Sequence, residues 1–453
     1  MNLDSLRAYV ADARWFGGKG REFEIGEVRR LAEVPGAGEG RPATYVHLVE
    51  VRYAEGDSEL YQLPLAFYTE PESRLDHAFV GWWEEPELGW VHAYDALHDR
   101  EAMAGWLAAF ESKPEGALRF ERLPGHELDV EAPAALFSGE QSNSTVFFGE
   151  DSILKVFRKV TPGTNPDIAI HEVLTEAGSE HVAHLYGWIE ADADDGPLQL
   201  AMLQQFLRTA TDGWELALAS VRDLFAEADL HADEVGGDFA GESARLGEAL
   251  AEVHTTLATS FDTGTIPAAE VAEGMRIRLD EAVTIVPELE AYLAPLRRAY
   301  DALAALGRLE VQRIHADLHL GQTLRTVLGW KLVDFEGEPA KALADRVLPD
   351  SPWRDVAGMM RSFDYAAHAV QRSLAGHDET SAAQRAVRAE EWAARNKQAF
   401  LTAYAGGELD ARQGTMLAAY VADKAVYECV YETRNRPAWV SIPLEAVARI
   451  GVP

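Results

Sequence analysis

The segment Gln312-Arg313-Ile314-His315-Ala316-Asp317-Leu318-His319-Leu320-Gly321-Gln322, followed by Val333-Asp334-Phe335-Glu336-Gly337, constrains this chain most. Apolar residues flank both polar clusters, and Asp334 follows Asp317 by seventeen residues, a spacing that suits a turn leading into a strand. A carboxylate carried on such a turn can take a proton from an attacking hydroxyl. The Gln322 carboxamide and the Asp334 carboxylate are hard oxygen donors suited to Mg2+, which keeps places open for phosphate oxygens and water. A base followed by a metal carboxylate is the order that metal-assisted phosphoryl transfer needs.

Each residue alone has a plainer explanation. An isolated aspartate near a histidine is usually a turn or capping residue. The joint occurrence of Asp317, Gln322 and Asp334 between apolar flanks reverses that reading. His315 and His319, four residues apart, invite a zinc hydrolase as an alternative. That motif requires a helix and a glutamate directly after the first histidine, where this chain has Ala316. His319 is therefore expected to orient the loop by hydrogen bonds.

Lys155 lies inside the apolar run Ser152-Ile153-Leu154-Lys155-Val156-Phe157, where a charge needs a reason. An edge-strand lysine facing water is one. A strand lysine that meets nucleotide phosphates and pairs with a helix carboxylate is the other. Glu172 on the following helix is the candidate partner, with Asp167 as its rival. Upstream, Gly139-Glu140-Gln141-Ser142-Asn143-Ser144 could cover ATP phosphates through backbone N–H groups and hydroxyls. Main-chain groups at Gln204 and Gln205 fall where a lobe hinge would read adenine, and Asp212 could reach the ribose.

The chain has 453 residues, enough for two or three lobes, and an apolar share of 47%. No run approaches a membrane span, and Met1 to Arg7 carries no secretory pattern, so a cytoplasmic protein is expected. The single cysteine, Cys429, excludes an internal disulfide. With 41 basic against 75 acidic residues the formal charge is −34, which makes nucleic acid and anionic membranes poor partners. A monomer is expected rather than an obligate oligomer.

Along the chain, residues 1–90 read as strands and turns, with Tyr45 to Tyr53 and Leu60 to Leu65 pairing across Gly56-Asp57. Residues 91 to about 118 read as helix on the spacing of Met103, Trp106, Leu107 and Phe110. The segment 91–205 then becomes strand-rich, with a hairpin about Gly149-Glu150-Asp151, a helix bearing Ile168, His171, Glu172 and Leu174, and a strand from Leu198 to Leu203. Strand pair, helix and strand is the order of a kinase N-lobe. From 206 to 453 amphipathic helices dominate, for example at Leu246, Leu250, Val253 and Leu257.

These residues resemble the aminoglycoside-phosphotransferase-like kinases, and in particular actinobacterial maltokinases and the related glucosamine kinases. Asp350-Ser351-Pro352-Trp353-Arg354-Asp355-Val356-Ala357-Gly358-Met359-Met360-Arg361 is similar to a block of that branch. So are Arg222 to Glu227, Val235 to Glu242 and Asp334 to Pro339, while Arg14-Trp15-Phe16-Gly17-Gly18-Lys19 resembles the opening of its extra cap domain. The resemblance implies an α+β, protein-kinase-like bilobal fold with an N-terminal cap over 1–90, an ATP-binding N-lobe over 91–205 and a helical C-lobe over 206–453. It implies Asp317 as base, Gln322 and Asp334 as Mg2+ ligands, and Lys155 on the ATP phosphates. Two departures stand out. The family usually has asparagine at Gln322 and glycine at Ala316. The run Tyr427 to Pro437 looks closer to glucosamine kinases than to maltokinases, which tend to have histidine at Asn435. Glu428, Tyr431, Glu432, Arg434 and Asn435 are then candidates for binding an amino sugar, although the same run suits a capped helix end. The expected activity is ATP-dependent phosphorylation of glucosamine, with maltose as the alternative acceptor. An ATP-binding regulatory pseudokinase is the non-catalytic rival.

Overall fold

The computed structural model describes the chain except residues 37–39, 138–141, 194–195, 228, 339–340, 375–381 and 451–453. It divides into two compact units, Met1–Glu172 with Ala183–Arg208, and Val173–Val182 with Thr209–Pro453. Strands dominate the first and helices the second, the α+β composition expected from the sequence.

The first unit holds two antiparallel sheets among its described residues. One runs in the order Phe23–Glu33, Ala43–Tyr53, Ser58–Tyr68, Gly89–Asp95, Phe79–Glu85. The two strands joined at Gly56 pair as expected, and Gly56 takes φ +100°, a conformation that only glycine adopts at little cost. Residues 91–95 correct the sequence reading, since they form a strand and the helix begins only at Arg100. The alternation through Val91, Ala93 and Asp95 buries one side of that strand, and Asp99 caps the helix by accepting from the Glu101 N–H at 3.1 Å. Met103, Trp106, Leu107 and Phe110 then pack into the core of the second sheet.

That second sheet runs Leu118–Arg122, Leu185–Ala193, Gly196–Gln205, Ser152–Val156, Ser144–Phe148, Ala134–Leu136. The two sheets are joined by backbone. The Gln62 N–H donates to the Arg158 carbonyl at 2.8 Å, and the Val160 N–H to the Leu60 carbonyl at 2.9 Å. The Gln62 side chain also donates to the carbonyls of Phe157, at 2.7 Å, and Leu200. Beside this seam Arg158 and Asp95, both fully buried, form an ion pair at 2.7 Å.

The second unit is built on long amphipathic helices, among them Ala240–Ser260, Trp353–Ser373, Ala382–Ala405 and Ala411–Asn435. Leu246, Leu250, Val253 and Leu257 are buried on one face of the first, as their spacing predicts. A small sheet of Thr211–Asp212, Thr323–Thr326 and Gly329–Leu332 carries the loops that converge on Asp317. Among the described residues no helix is long and apolar enough to cross a membrane.

Candidate functional site

In the second unit the chain from His315 to Gln322 is a turn, not a helix. Its shape is imposed from the helix Trp353–Ser373. Asp355, fully buried near the start of that helix, accepts from the His315 N–H through Oδ2 and from the Ala316 N–H through Oδ1, both at 2.8 Å. His254 Nε2–H adds a third bond to Asp355 at 3.0 Å, and its Nδ1 meets the Tyr404 hydroxyl at 2.9 Å. Burial alone would raise the Asp355 pKa, but the hydrogen bond and charge of His254, with His315, hold it below the usual carboxylate value. Ala316 has φ +72°. An alanine therefore sits in the left-handed region, at a cost of roughly 1–2 kcal/mol.

The two histidines serve this loop and do not converge on a metal. His315 Nε2 donates to the Val333 carbonyl at 3.0 Å. His319 Nδ1 accepts from the Gly321 N–H at 3.1 Å, which opens the short turn Leu320–Gln322. Burial, the main influence, lowers the His319 pKa and keeps it neutral for that bond. The bond to Gly321 is of the loop-orienting kind expected of His319, and the loop is not the helix that the zinc alternative requires.

Gln322 and Asp334 are brought together by backbone as well as side chain. The Val333 N–H donates to the Gln322 carbonyl at 3.0 Å, and Gln322 Nε2 lies 3.0 Å from Asp334 Oδ2. Asp334 takes φ +67°, which aspartate tolerates better than most residues. Glu336 places a carboxylate oxygen within 4.8 Å of one from Asp334. Oxygen donors from Gln322, Asp334 and Glu336 fit Mg2+ by their chemistry.

Asp317 lines a cavity of about 560 Å3 with Asp350, Arg354, Asp423, Lys424 and Tyr427. Arg278 holds Asp423 through two bonds of 3.1 and 2.8 Å, and Arg354 reaches Asp350 and Glu338 at 2.8 Å each. Burial first, then the charges of Glu338 and Asp317, push the Tyr427 hydroxyl up to about 12, so it stays a donor.

The helix Ala411–Asn435 thus faces the cavity with Asp423 and Lys424, one turn before the run singled out in the sequence, and with Tyr427, its first residue. Glu428 and Glu432 are buried. Arg361 Nε donates to Glu428 at 2.8 Å, and burial still raises the Glu428 pKa. Glu432 accepts from the Tyr365 hydroxyl at 3.1 Å and from Arg436 at 2.6 and 2.9 Å. Both candidate sugar carboxylates therefore carry arginine partners, the buried Arg361 at Glu428 and the half-exposed Arg436 at Glu432. Tyr431 is exposed, Arg434 lies in the last helical turn, and the Asn435 side chain donates to the Tyr431 carbonyl at 2.9 Å, a helix-end bond.

In the first unit Lys155 Nζ donates to Asp167 Oδ2 at 2.7 Å. Asp167, the rival to Glu172, is therefore a carboxylate in contact with the strand lysine. Asp167 is buried and also lies 3.1 Å from His171 Nδ1. Burial acts against its charge, yet Lys155 and then His171 hold its pKa far below the ordinary value. Gly139 to Gln141 lie outside the described residues. The Ser144 hydroxyl accepts from Arg158 Nε at 2.7 Å, so that side chain is engaged on the cap side of its strand. Gln204 and Gln205 end the strand Gly196–Gln205, and the Gln205 N–H donates to the His184 carbonyl at 2.8 Å. Asp212, in the second unit, caps the helix Gly213–Ala226 by accepting from the Glu215 N–H at 3.0 Å, which gives its carboxylate a structural task.

Asp355, Glu336 and Lys424 were not singled out in the sequence. Asp355 had a visible signal, a charge among Trp353, Val356, Ala357 and Met359 on one apolar helix. Lys424 had none, since nothing in its neighbours ties it to a residue 107 positions earlier.

Residues 9–99 match the maltokinase N-terminal cap domain. A glucosamine kinase of Streptacidiphilus jiangxiensis is 29% identical over 364 residues, 76% of this chain and 78% of the relative. A glucosamine kinase of Mycolicibacterium smegmatis is 26% identical over 316 residues, 67% of this chain and 76% of the relative. Among solved structures, a glucosamine kinase in complex with glucosamine, ADP and inorganic phosphate superposes with a TM-score of 0.68 at 23% identity, covering 98% of this chain and 99% of that one. A second crystal form of glucosamine kinase gives 0.69 at 22% identity over 99% of each chain. The chain carries a maltokinase-type cap, is similar in sequence to glucosamine kinases over most of its length, and has their fold.

Proposed function

We propose that this chain is an ATP-dependent sugar kinase that converts D-glucosamine to D-glucosamine 6-phosphate, with ADP as the second product. One observation carries the reading. The loop 315–322 puts Asp317 at the wall of a cavity and Gln322 against Asp334 at 3.0 Å. The sequence similarity to glucosamine kinases supports the choice of sugar.

In this mechanism Asp317 accepts a hydrogen bond from the sugar hydroxyl and takes its proton. The hydroxyl oxygen bonds to the γ-phosphorus as the bond from that phosphorus to the bridging oxygen breaks, and ADP leaves. Gln322, Asp334 and Glu336 would hold Mg2+, whose charge offsets that of the phosphates when it is bound. Lys155, held by Asp167, would bind phosphate oxygens. The loop ahead of Ser144 would contribute backbone N–H groups, since the Ser144 hydroxyl is already engaged. Tyr427, a hydroxyl donor, suits a sugar oxygen. The fixed loop around Asp317 supplies orientation, which with electrostatic stabilisation is what a protein adds to such a transfer.

The test is a set of kcat/KM values for glucosamine, glucose, N-acetylglucosamine and maltose with coupled detection of ADP. Glucosamine should lead, and N-acetylglucosamine, which is uncharged and bulkier, should be poor. A lead for maltose would instead support a maltokinase, the reading that the cap match at residues 9–99 favours. Absence of turnover with every sugar would leave a nucleotide-binding regulatory protein.

A further inference from the structure

Lys424 has no place in the mechanism so far, yet its ammonium lies 3.5 Å from Asp317 Oδ1. The two side chains are 31% and 30% exposed, so water reaches both and neither is sealed into the core. Among the described residues no other cation lies within 4.0 Å of Asp317, while Arg278 and Arg354 are committed to Asp423, Asp350 and Glu338. The lysine also lies over the Tyr427 ring, 5.1 Å from Nζ to the centroid. His319, in the same loop, is subject to the charges of Asp317, Lys424 and Asp334 together. Lys424 therefore belongs to the surroundings of the reaction centre and not to a remote surface pair.

A carboxylate on a turn can rotate about its own side-chain bonds, and a base that points away from the acceptor is useless. We infer that Lys424 is a positioning residue that holds Asp317 through Oδ1 and leaves Oδ2 for the acceptor hydroxyl. This rests on Asp317 being the base. The ammonium keeps its proton throughout. The hydroxyl proton passes to Oδ2, the oxygen–phosphorus bond forms, and the bond to the departing ADP breaks. Because the bond to Lys424 spans from helix Ala411–Asn435 to the catalytic loop, it also ties the helix that lines the acceptor cavity to the group that reacts there.

The experiment compares Lys424→Met, Lys424→Arg, Asp317→Asn and the double variant Asp317→Asn/Lys424→Met in the full chain. Lys424→Met should lower kcat by roughly 10- to 100-fold, the penalty for a misplaced reacting group, and leave the KM for ATP unchanged. Lys424→Arg, which still donates to a carboxylate, should recover most of the rate. The double variant should be no slower than Asp317→Asn alone, since the lysine acts only through that carboxylate. Wild-type kcat in Lys424→Met beside an inactive Asp317→Asn overturns the role of Lys424, as do single losses that multiply in the double variant. Wild-type turnover in Asp317→Asn is a different result, which removes the base assignment and with it any group for Lys424 to position.

Discussion

Asp355 fixes Ala316 in a left-handed backbone conformation: Oδ1 accepts the Ala316 N–H at 2.8 Å, and Ala316 takes φ +72°. The strained residue directly precedes Asp317, so the helix Trp353–Ser373 sets the direction in which that carboxylate leaves the chain.

Asp355→Ala should therefore be costly. It strands the N–H groups of His315 and Ala316 and removes the partner of His254, each a loss of about 1–3 kcal/mol in a buried setting. Chemical unfolding should report a loss of at least ~3 kcal/mol. The folded pKa of Asp355 is depressed, so its stabilisation is complete above the unfolded value of about 4 and fades as pH falls toward the folded one. Asp355→Asn should flatten that acid limb of stability.

Ala316→Gly tests the strain from the other side. Relief of roughly 1–2 kcal/mol in the folded state is partly cancelled by about 0.5–1 kcal/mol of added chain entropy. A small net gain in thermal stability, with kcat unchanged, is expected. A loss of stability would mean that the methyl group contributes packing that outweighs the strain.

Asp317→Asn should fold normally, as judged by circular dichroism, and lose roughly 10²–10⁴ in kcat. Sugar affinity should change far less, because the amide keeps a hydrogen-bonding group in place. Near-normal turnover would remove Asp317 from the chemistry.

The carboxylates beside Gln322 predict distinct metal phenotypes. Asp334→Ala should abolish Mg2+-dependent turnover, while Glu336→Gln should raise the Mg2+ needed for half-maximal rate by about 10-fold or more. Added Zn2+ should rescue neither, since the donors are oxygens. Tightly bound zinc at one per chain in the purified protein, lost on substitution of His315 and His319, would contradict the loop geometry.

The sequence was most readable where local rules act alone. β-Branched and aromatic enrichment around the Gly56-Asp57 turn located strands at Tyr45 to Tyr53 and Leu60 to Leu65, inside the observed Ala43–Tyr53 and Ser58–Tyr68, and three- and four-residue spacing located Ala240–Ser260. Asp317, Gln322 and Asp334 were legible as a candidate group because they lie in one short stretch, and the Val333 N–H to Gln322 carbonyl bond draws the last two together. The strand Gly89–Asp95 was missed because the strong helical spacing of Met103 to Phe110 was extended backward past the Asp99 cap. Asp355 and Lys424 meet the catalytic loop only through tertiary packing, which spacing does not encode. The partners of Glu428 and Glu432 were illegible for the same reason, because Arg361 and Tyr365 come from another helix.

The bonds from Gln62 to Arg158, Phe157 and Leu200 bear on how this chain could be shortened. Residues 157–160 directly follow the strand of Lys155, so the cap completes the hydrogen bonding of the segment leaving that strand. A chain begun after the cap would leave the carbonyls of Phe157, Arg158 and Leu200 without these donors. It would also strand the buried Arg158 guanidinium without Asp95. An uncompensated charge of that kind costs about 3–5 kcal/mol, a large part of the margin by which any domain stays folded. The kinase lobe is thus not a module onto which a cap was added. The two sheets share one folding fate, and truncation should yield insoluble protein in place of a minimal enzyme.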